Sequence, residues 1–477
     1  MKRLVRVAEE EIVLVIVLAA FAVVFLSVFP PHLLVNDSFL TLTGGREIAE
    51  HGLPSRDELT VIGAGRTWTD QQWGAQLLAY GVYELGGHAL LAVLSSLFPL
   101  TALVVSALAS RSLGAGPRAF VLVFIPVILA ASWAWTIRAQ VFVLPLYAAL
   151  VWLLVSEARR PTRRVYLALP LLVVWANLHG SVVLGALLVV LFAGVELLVT
   201  RGHSFGRSAL LLVLAPLTVL ATPYGPVETA RYYRLVLIDP PFADRVTEWQ
   251  WSDPDWNTLA FYVLAALALV VVVGCRRRLQ PFDAVLLLVT FVGGVQALRG
   301  IQWFAFASLV VLPVAIGTSL EGERAPVRRR LNRTLVAGVS AVAVVAVAVA
   351  FVRDASWYER RWPNDALDSV RAASADPASL VFATDRHSDW LLWKLPELRG
   401  RVAYDVRFEI YEPSLFDRLT AYYGQIGNWK ELVARYAVVV VDEKTSPSHT
   451  DDFRAEPGSR LLYRDEVISV VLRRAKP

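Results

Sequence analysis

Apolar and polar positions fall into two regimes along the chain. From residue 11 to residue 352, long apolar runs alternate with short polar breaks; after residue 352, charged and apolar positions mix. A bilayer core needs about 20 apolar residues per helix. Runs of that kind occupy 11–30, 88–109, 118–135, 139–156, 165–178, 180–200, 207–222, 258–275, 282–298, 301–318 and 333–352, which predicts 11 membrane-spanning helices. The run at 165–178 is short and is expected to be tilted or re-entrant. The pattern divides the chain into a membrane domain at 1–352, whose first polar loop covers 31–87, and a soluble domain at 353–477. In that second part, strand patterns at 379–383, 437–441 and 467–472 and amphipathic helical patterns at 365–373 and 413–423 predict a small α/β domain. The expected fold class is thus a polytopic α-helical membrane protein with a small C-terminal α/β domain.

Composition agrees. Hydrophobic residues make up 56% of the 477 and charged residues 18%, too apolar a balance for an ordinary soluble chain. The single cysteine, Cys275, excludes an intrachain disulfide and a thiolate metal site. The net charge of +5 is small, and the arginines are grouped between apolar runs, a pattern of membrane topology rather than of nucleic-acid binding. With 11 spans, Lys2, Arg3 and Arg6, Arg111 and Arg118, Arg159 to Arg164, Arg201 and Arg207, Arg276 to Arg278, and Arg324 to Arg333 all fall on one side, which the positive-inside rule makes cytoplasmic. The N-terminal run lacks a clean small-residue cleavage site and reads as a retained first helix. The expected location is the plasma (inner) membrane, multi-pass, with a cytoplasmic N-terminus and the C-terminal domain outside.

The opposite side collects the chemistry. It carries the first loop with Asp37 and Asp70, the polar interruptions Arg138 with Gln140 and Asn177 with His179, the helix-end turn at Tyr224, the long loop with Glu248 and Trp249, Arg299 between two spans, and everything after residue 352. Ionisable groups at membrane depth are costly and mark functional sites. A carboxylate can take the proton of an acceptor hydroxyl, arginine forks can hold a phosphate, and tryptophan, Asn177 or His179 can bind a sugar. Each residue also has a plainer reading. Asp37 and Asp70 can be helix caps, Arg138 can snorkel, His179 can be a packing histidine, Glu248 can organise its loop, and Asp405 with Arg407 can be a local salt bridge. No two histidines are close in sequence and paired acids are few, so a metal site is disfavoured and no cofactor is expected.

The stretch Asn36-Asp37-Ser38-Phe39, Gly45-Arg46-Glu47-Ile48-Ala49-Glu50-His51-Gly52-Leu53-Pro54, Asp57, Gly65-Arg66-Thr67-Trp68 and Gln72-Trp73 resembles membrane proteins of the GT-C glycosyltransferase superfamily. The resemblance continues through Trp175-Ala176-Asn177-Leu178-His179-Gly180, Thr222-Pro223-Tyr224-Gly225, Glu248-Trp249-Gln250 and Asp405-Val406-Arg407-Phe408-Glu409-Ile410-Tyr411. In layout it is similar to the polyprenyl-phosphate-sugar-dependent mannosyl- and aminoarabinosyl-transferases. It implies an active site on the outer face, a polyprenyl-phosphate sugar donor, no metal, and Asp37 as the base acting on a glycan, lipid or protein acceptor. Many members pair two acids, or an acid and a histidine, soon after the first span. Here Asn36 precedes a single Asp37, leaving Asp70 as the nearby second acid.

The resulting expectation is an inverting hexosyl- or pentosyltransferase. Asp37 and Asp70 are catalytic. Arg138 and Arg299 hold the donor phosphate. His179, Asn177, Gln140, Tyr224, Glu248, Trp249, Asp405 and Arg407 bind sugar or acceptor. Its rivals are a lipid-linked glycan polymerase or ligase and, in another class, a flippase. The absence of an internal repeat argues against the flippase.

Overall fold

In the computed structural model, which describes residues 12–28, 32, 34–131, 136–202, 204–238, 240, 242–243, 246–320 and 329–474, a helix lies in each of the predicted apolar runs. In chain order the helices are α1 (Ile12–Val28), α2 (Asn36–His51), α3 (Trp73–Ser112), α4 (Pro117–Ala130), α5 (Leu144–Arg159), α6 (Ala168–Ala176), α7 (Val182–Val199), α8 (Phe205–Thr218), α9 (Gly225–Ile238), α10 (Leu259–Gly274), α11 (Pro281–Gln296), α12 (Ile301–Ile316) and α13 (Arg329–Val352). The C-terminal part adds α14 (Ala355–Glu359), α15 (Leu367–Ala373), β1 (Val381–Phe382), α16 (Asp385–Lys394), α17 (Pro413–Gly424), β2 (Val438–Asp442), α18 (Pro447–Arg454), β3 (Arg460–Arg464) and β4 (Ile468–Leu472). Lys2, Arg3, Arg6, Arg324 and Arg328, used above for orientation, lie outside the described residues.

Contacts divide the chain into two compact units. One takes Met1–Pro30, Ala89–Pro226 and Val246–Arg353; the other takes Pro31–His88, Val227–Arg245 and Asp354–Pro477. The first loop, assigned to the membrane domain on sequence, therefore belongs with the C-terminal residues.

The first unit is helical and apolar. Among the described residues of the whole chain, five helical stretches, Trp73–Ser112, Ala139–Arg159, Val182–Val199, Leu298–Ile316 and Arg329–Val352, are long and apolar enough to cross a bilayer, and four are shorter apolar helices. Helix α12 is buried along its whole length, as an all-round apolar helix must be. Helices α4, α10, α11 and α5 pack on it. Helix α6 has only 9 residues and follows a 3-10 turn at Arg163–Leu167, so the short run at 165–178 makes a short element. Several arginines assigned to topology also neutralise buried acids. Arg159 makes a bidentate pair with Asp283 at 3.0 and 2.6 Å, and Arg207 lies 3.0 Å from Glu196 and 3.3 Å from Glu157. Others cap helix ends: Arg278 donates to the carbonyl of Ile316 at 2.6 Å.

The second unit is built on a four-stranded sheet in the order β1-β2-β4-β3. β1 and β2 are parallel, and the other two pairings are antiparallel. The residues beyond β1 bring in the first loop. Val402 bridges Val381 on one side and Thr60 on the other, with Val61 and Ile62 donating to the carbonyls of Val402 and Ala403 at 2.8 and 3.0 Å. Sequence reading placed the three strands β1, β2 and β4 and the helices α15 and α17, and missed α14, β3, α16 and α18. The residues of α16, DRHSDWLLWK, are polar in sequence yet buried from His387 to Trp393, so their periodicity carries no amphipathic signal.

Candidate functional site

The first polar stretch opens as a helix, α2, rather than the loop expected from sequence. In α2 the hydroxyl of Ser38 accepts the backbone N–H of Val35 at 3.0 Å and closes the amino end. Gly44 and Gly45 are tolerated mid-helix because a side chain at Gly45 would collide with the Gln76 carbonyl and Tyr80. Asp37 lies half-buried in the first turn, where a carboxylate is favoured by the helix dipole.

Helix α16 packs along α2. Arg46, late in α2, donates to the carbonyls of Leu392 and Trp393, late in α16, at 2.6 and 3.1 Å. Asp37, early in α2, acts electrostatically on Asp385 and Asp389, early in α16. The two helices therefore run parallel with their amino ends together, and three carboxyl groups share that end. Burial pushes Asp385 up to about 6, with Asp37 and Asp442 adding to the rise. Burial likewise holds Asp389 well above the usual carboxylate range, and Asp405 and Asp37 reinforce it. Sequence reading missed Asp385 and Asp389. The available signal was two acids at i and i+4 in a segment of strong aromatic content, a like-charged pair that a solvated helix disfavours.

Asp70 is 2% exposed and precedes α3. Its Oδ1 accepts the Gln72 backbone N–H at 3.0 Å and the Gln76 side-chain amide at 3.3 Å, as a capping residue would. Burial pushes its carboxyl up to about 7.

Asp405 and Arg407, expected at the acceptor, pair with each other inside the second unit. Asp405 accepts from Arg407 Nε at 2.8 Å, from Arg407 Nη2 at 2.5 Å and from the Tyr411 hydroxyl at 3.0 Å. Arg407 Nη2 reaches Asp57 of the first loop at 2.6 Å, and the guanidinium lies 4.1 Å over the Trp68 ring. The local salt bridge of the sequence reading has become a buried pin between the first loop and the C-terminal residues. Arg399 repeats the device with Glu47 and Glu58.

The first unit gathers a second cluster. Arg138 pairs with Glu248, and the Arg299 guanidinium sits 4.3 Å over the Trp249 ring. The 3-10 turns Thr247–Trp249 and Leu298–Gly300 pack on each other, and Leu298 donates to the Gln250 carbonyl at 3.2 Å. Gly300 is obligatory in that turn because a side chain there would collide with the Gly293 carbonyl. His179 is 9% exposed, and its Nδ1 accepts the Ser181 backbone N–H at 3.0 Å, which leaves the ring proton on Nε2. Burial pushes His179 down to about 3, and the charges of Arg299 and Arg138 push the same way, so it is neutral at physiological pH. The arrangement supplies two guanidinium groups and one neutral imidazole N–H at helix ends.

The remaining expected residues divide. Asn177 spends its amide on the carbonyls of Val173 and Ala221 at 2.9 and 2.8 Å, which ties α6 to the turn after α8. Gln140 lies half-buried in the 3-10 turn Ala139–Val143. Tyr224 is half-buried in the turn before α9, whose Gly225 has φ 75°. Among the described residues, no group of three His, Cys, Asp or Glu side chains is placed to hold a metal ion.

Solved structures share this architecture. Two crystal structures of ArnT from Cupriavidus metallidurans share it. The one bound to undecaprenyl phosphate aligns with a TM-score of 0.54 at 15% identity, covering 97% of this chain and 99% of that one. The apo form aligns with a TM-score of 0.52 at 14% identity over the same shares. The Archaeoglobus fulgidus oligosaccharyltransferase aligns over 91% of this chain and 70% of its own, with a TM-score of 0.45 and 14% identity. At these identities the likeness is one of fold. No family model matches the sequence, and no curated protein does.

Proposed function

We propose that this protein transfers a sugar from a polyprenyl-phosphate donor to a hydroxyl of a cell-envelope glycan, lipid or protein on the outer face of the plasma membrane. The observation that carries the reading is the convergence of Arg138 and Arg299 on a neutral His179 at helix ends of the membrane unit. Such a pair of guanidinium groups suits a monophosphate. The ArnT structure that shares the fold was solved with undecaprenyl phosphate.

In the proposed reaction the acceptor oxygen bonds to the anomeric carbon from the face opposite the phosphate, inverting the sugar. The acceptor proton passes to the Asp37 carboxylate. The bond between the anomeric carbon and the phosphate oxygen breaks, and its electron pair leaves on the lipid phosphate, where Arg138 and Arg299 offset the charge. His179 contributes a hydrogen bond from Nε2. The pairing of Arg138 with Glu248 keeps the guanidinium oriented before the donor arrives. Asp70 supports the first polar stretch and stands as the second acid.

Binding of undecaprenyl phosphate to the purified protein tests this reading. Wild type is expected to bind it, and Arg299→Ala and Arg138→Ala each to weaken binding by about tenfold to a hundredfold, the usual cost of losing a charged hydrogen-bond partner. Absence of binding by wild type, or equal binding by both variants, would overturn it.

A further inference from the structure

The turn between α6 and α7 holds three side chains whose hydrogen bonds can run in one direction only. Trp175, in the last turn of α6, is fully buried. Its ring lies 6.1 Å from Tyr147 and 5.9 Å from Trp303, and the Tyr147 hydroxyl is itself tied to the Trp303 carbonyl at 2.7 Å. Held among these rings, the indole N–H reaches Ser181 Oγ at 3.1 Å. Ser181 immediately precedes α7 and makes two contacts to His179 Nδ1, from its hydroxyl at 2.8 Å and from its backbone N–H at 3.0 Å. The backbone N–H groups of Leu178 and His179 both donate to the Trp175 carbonyl at 3.0 Å, and Val182 donates to the His179 carbonyl at 3.2 Å, which closes the turn around the three side chains.

The donor and acceptor roles follow from the chemistry of the groups. An indole nitrogen only donates, so Ser181 Oγ accepts from Trp175 and has its own O–H to give to His179. The backbone N–H of Ser181 also only donates. Both groups that face Nδ1 therefore donate, and Nδ1 is the unprotonated nitrogen of the ring. The one ring proton then sits on Nε2. A second proton, on Nδ1, would meet the Ser181 N–H head-on and displace the serine hydroxyl, so the turn opposes the imidazolium form independently of any nearby charge. Among the described residues Nε2 has no hydrogen-bond partner, which leaves its proton for a ligand. We infer that Ser181 and Trp175 are positioning residues for His179: Trp175 orients the Ser181 hydroxyl, and Ser181 fixes the imidazole as a neutral donor that presents Nε2–H to an oxygen of the bound ligand. That this oxygen belongs to the donor phosphate rests on the transferase reading above.

Nitrogen-15 NMR of the histidine rings, on the full-length protein in nanodiscs, tests the inference without requiring turnover. The signals lost in His179→Gln assign His179. Wild type is expected to show Nδ1 unprotonated and Nε2 protonated from about pH 6 to 8. Ser181→Ala removes the hydroxyl and the link to Trp175, and is expected to let the second tautomer and the imidazolium form appear over the same range. Ser181→Thr keeps a hydroxyl and is expected to restore the wild-type signals. A protonated Nδ1 in wild type, or the same signals in Ser181→Ala as in wild type, would overturn the inference. Undecaprenyl phosphate binding supplies the second readout: Ser181→Ala is expected to bind it about threefold to tenfold more weakly than wild type, and Ser181→Thr about as well. Measurable and equal binding by wild type and Ser181→Ala would also overturn the inference. No binding by wild type, with the His179 signals as expected, removes the donor-phosphate reading and keeps the positioning of His179.

Discussion

Asp70 shows at the scale of one residue how burial shapes a carboxyl group. In the folded protein its pKa is about 7 against 3.8 for the free side chain, chiefly because burial penalises the charged form. The fold therefore binds the proton more tightly than the unfolded chain does. The favourable contribution is complete below about pH 4 and is lost as pH rises through about 7. Asp70→Asn removes this dependence while keeping an acceptor for Gln72. Its unfolding temperature should fall less steeply than that of wild type between about pH 4 and 8 and exceed it at pH 8, with a difference of a few kcal/mol. Parallel curves for the two proteins would contradict the assignment. His179 makes the complementary point: its backbone partner and two flanking arginines keep it neutral, so it serves as a donor rather than a base.

Among the elements, the first loop is the one that joins the second unit together. Asp57 holds Arg407 at 2.6 Å and accepts from Thr60 at 2.5 Å, all out of water. Removing one partner of a buried ion pair strands the other. Asp57→Ala should cost roughly 3–5 kcal/mol and open the loop around Gly63 to limited proteolysis, whereas the exposed Arg371–Asp368 pair should be dispensable. An Asp57→Ala protein as protease-resistant as wild type would refute the pin. These elements also show what the sequence reveals. Long apolar runs announce themselves, so a helix lies in each of the predicted runs. Arg138 stood out because charge interrupting such a run is expensive, and Glu248, Trp249 and Arg299 because they lie in polar breaks between runs. Helix α16 was not legible, because its burial comes from tertiary packing against α2 and its sequence looks solvated. Asp405 and Arg407 stood out in sequence for the right reason, their charge, but their partner Asp57 lies 350 positions away from Arg407, a separation that no local pattern records.

The chain divides into an apolar helical unit and a mixed unit that holds the four-stranded sheet. The arginine clusters set the expected orientation, and Cys275 stands beside Arg276, Arg277 and Arg278 at the end of α10. As the one cysteine in the chain it is a native reporter. A membrane-impermeant maleimide should label it only after the membrane is opened, and labelling in intact cells would reverse the orientation. The central claim is that Asp37 accepts the proton when a sugar leaves a polyprenyl phosphate. The most direct measurement is transfer of radiolabelled sugar from a panel of polyprenyl-phosphate sugars by purified wild type beside Asp37→Asn. We expect one donor to be consumed by wild type and turnover to fall at least about a thousandfold in Asp37→Asn, with undecaprenyl phosphate binding and unfolding temperature unchanged. Equal turnover in the two proteins would contradict the account.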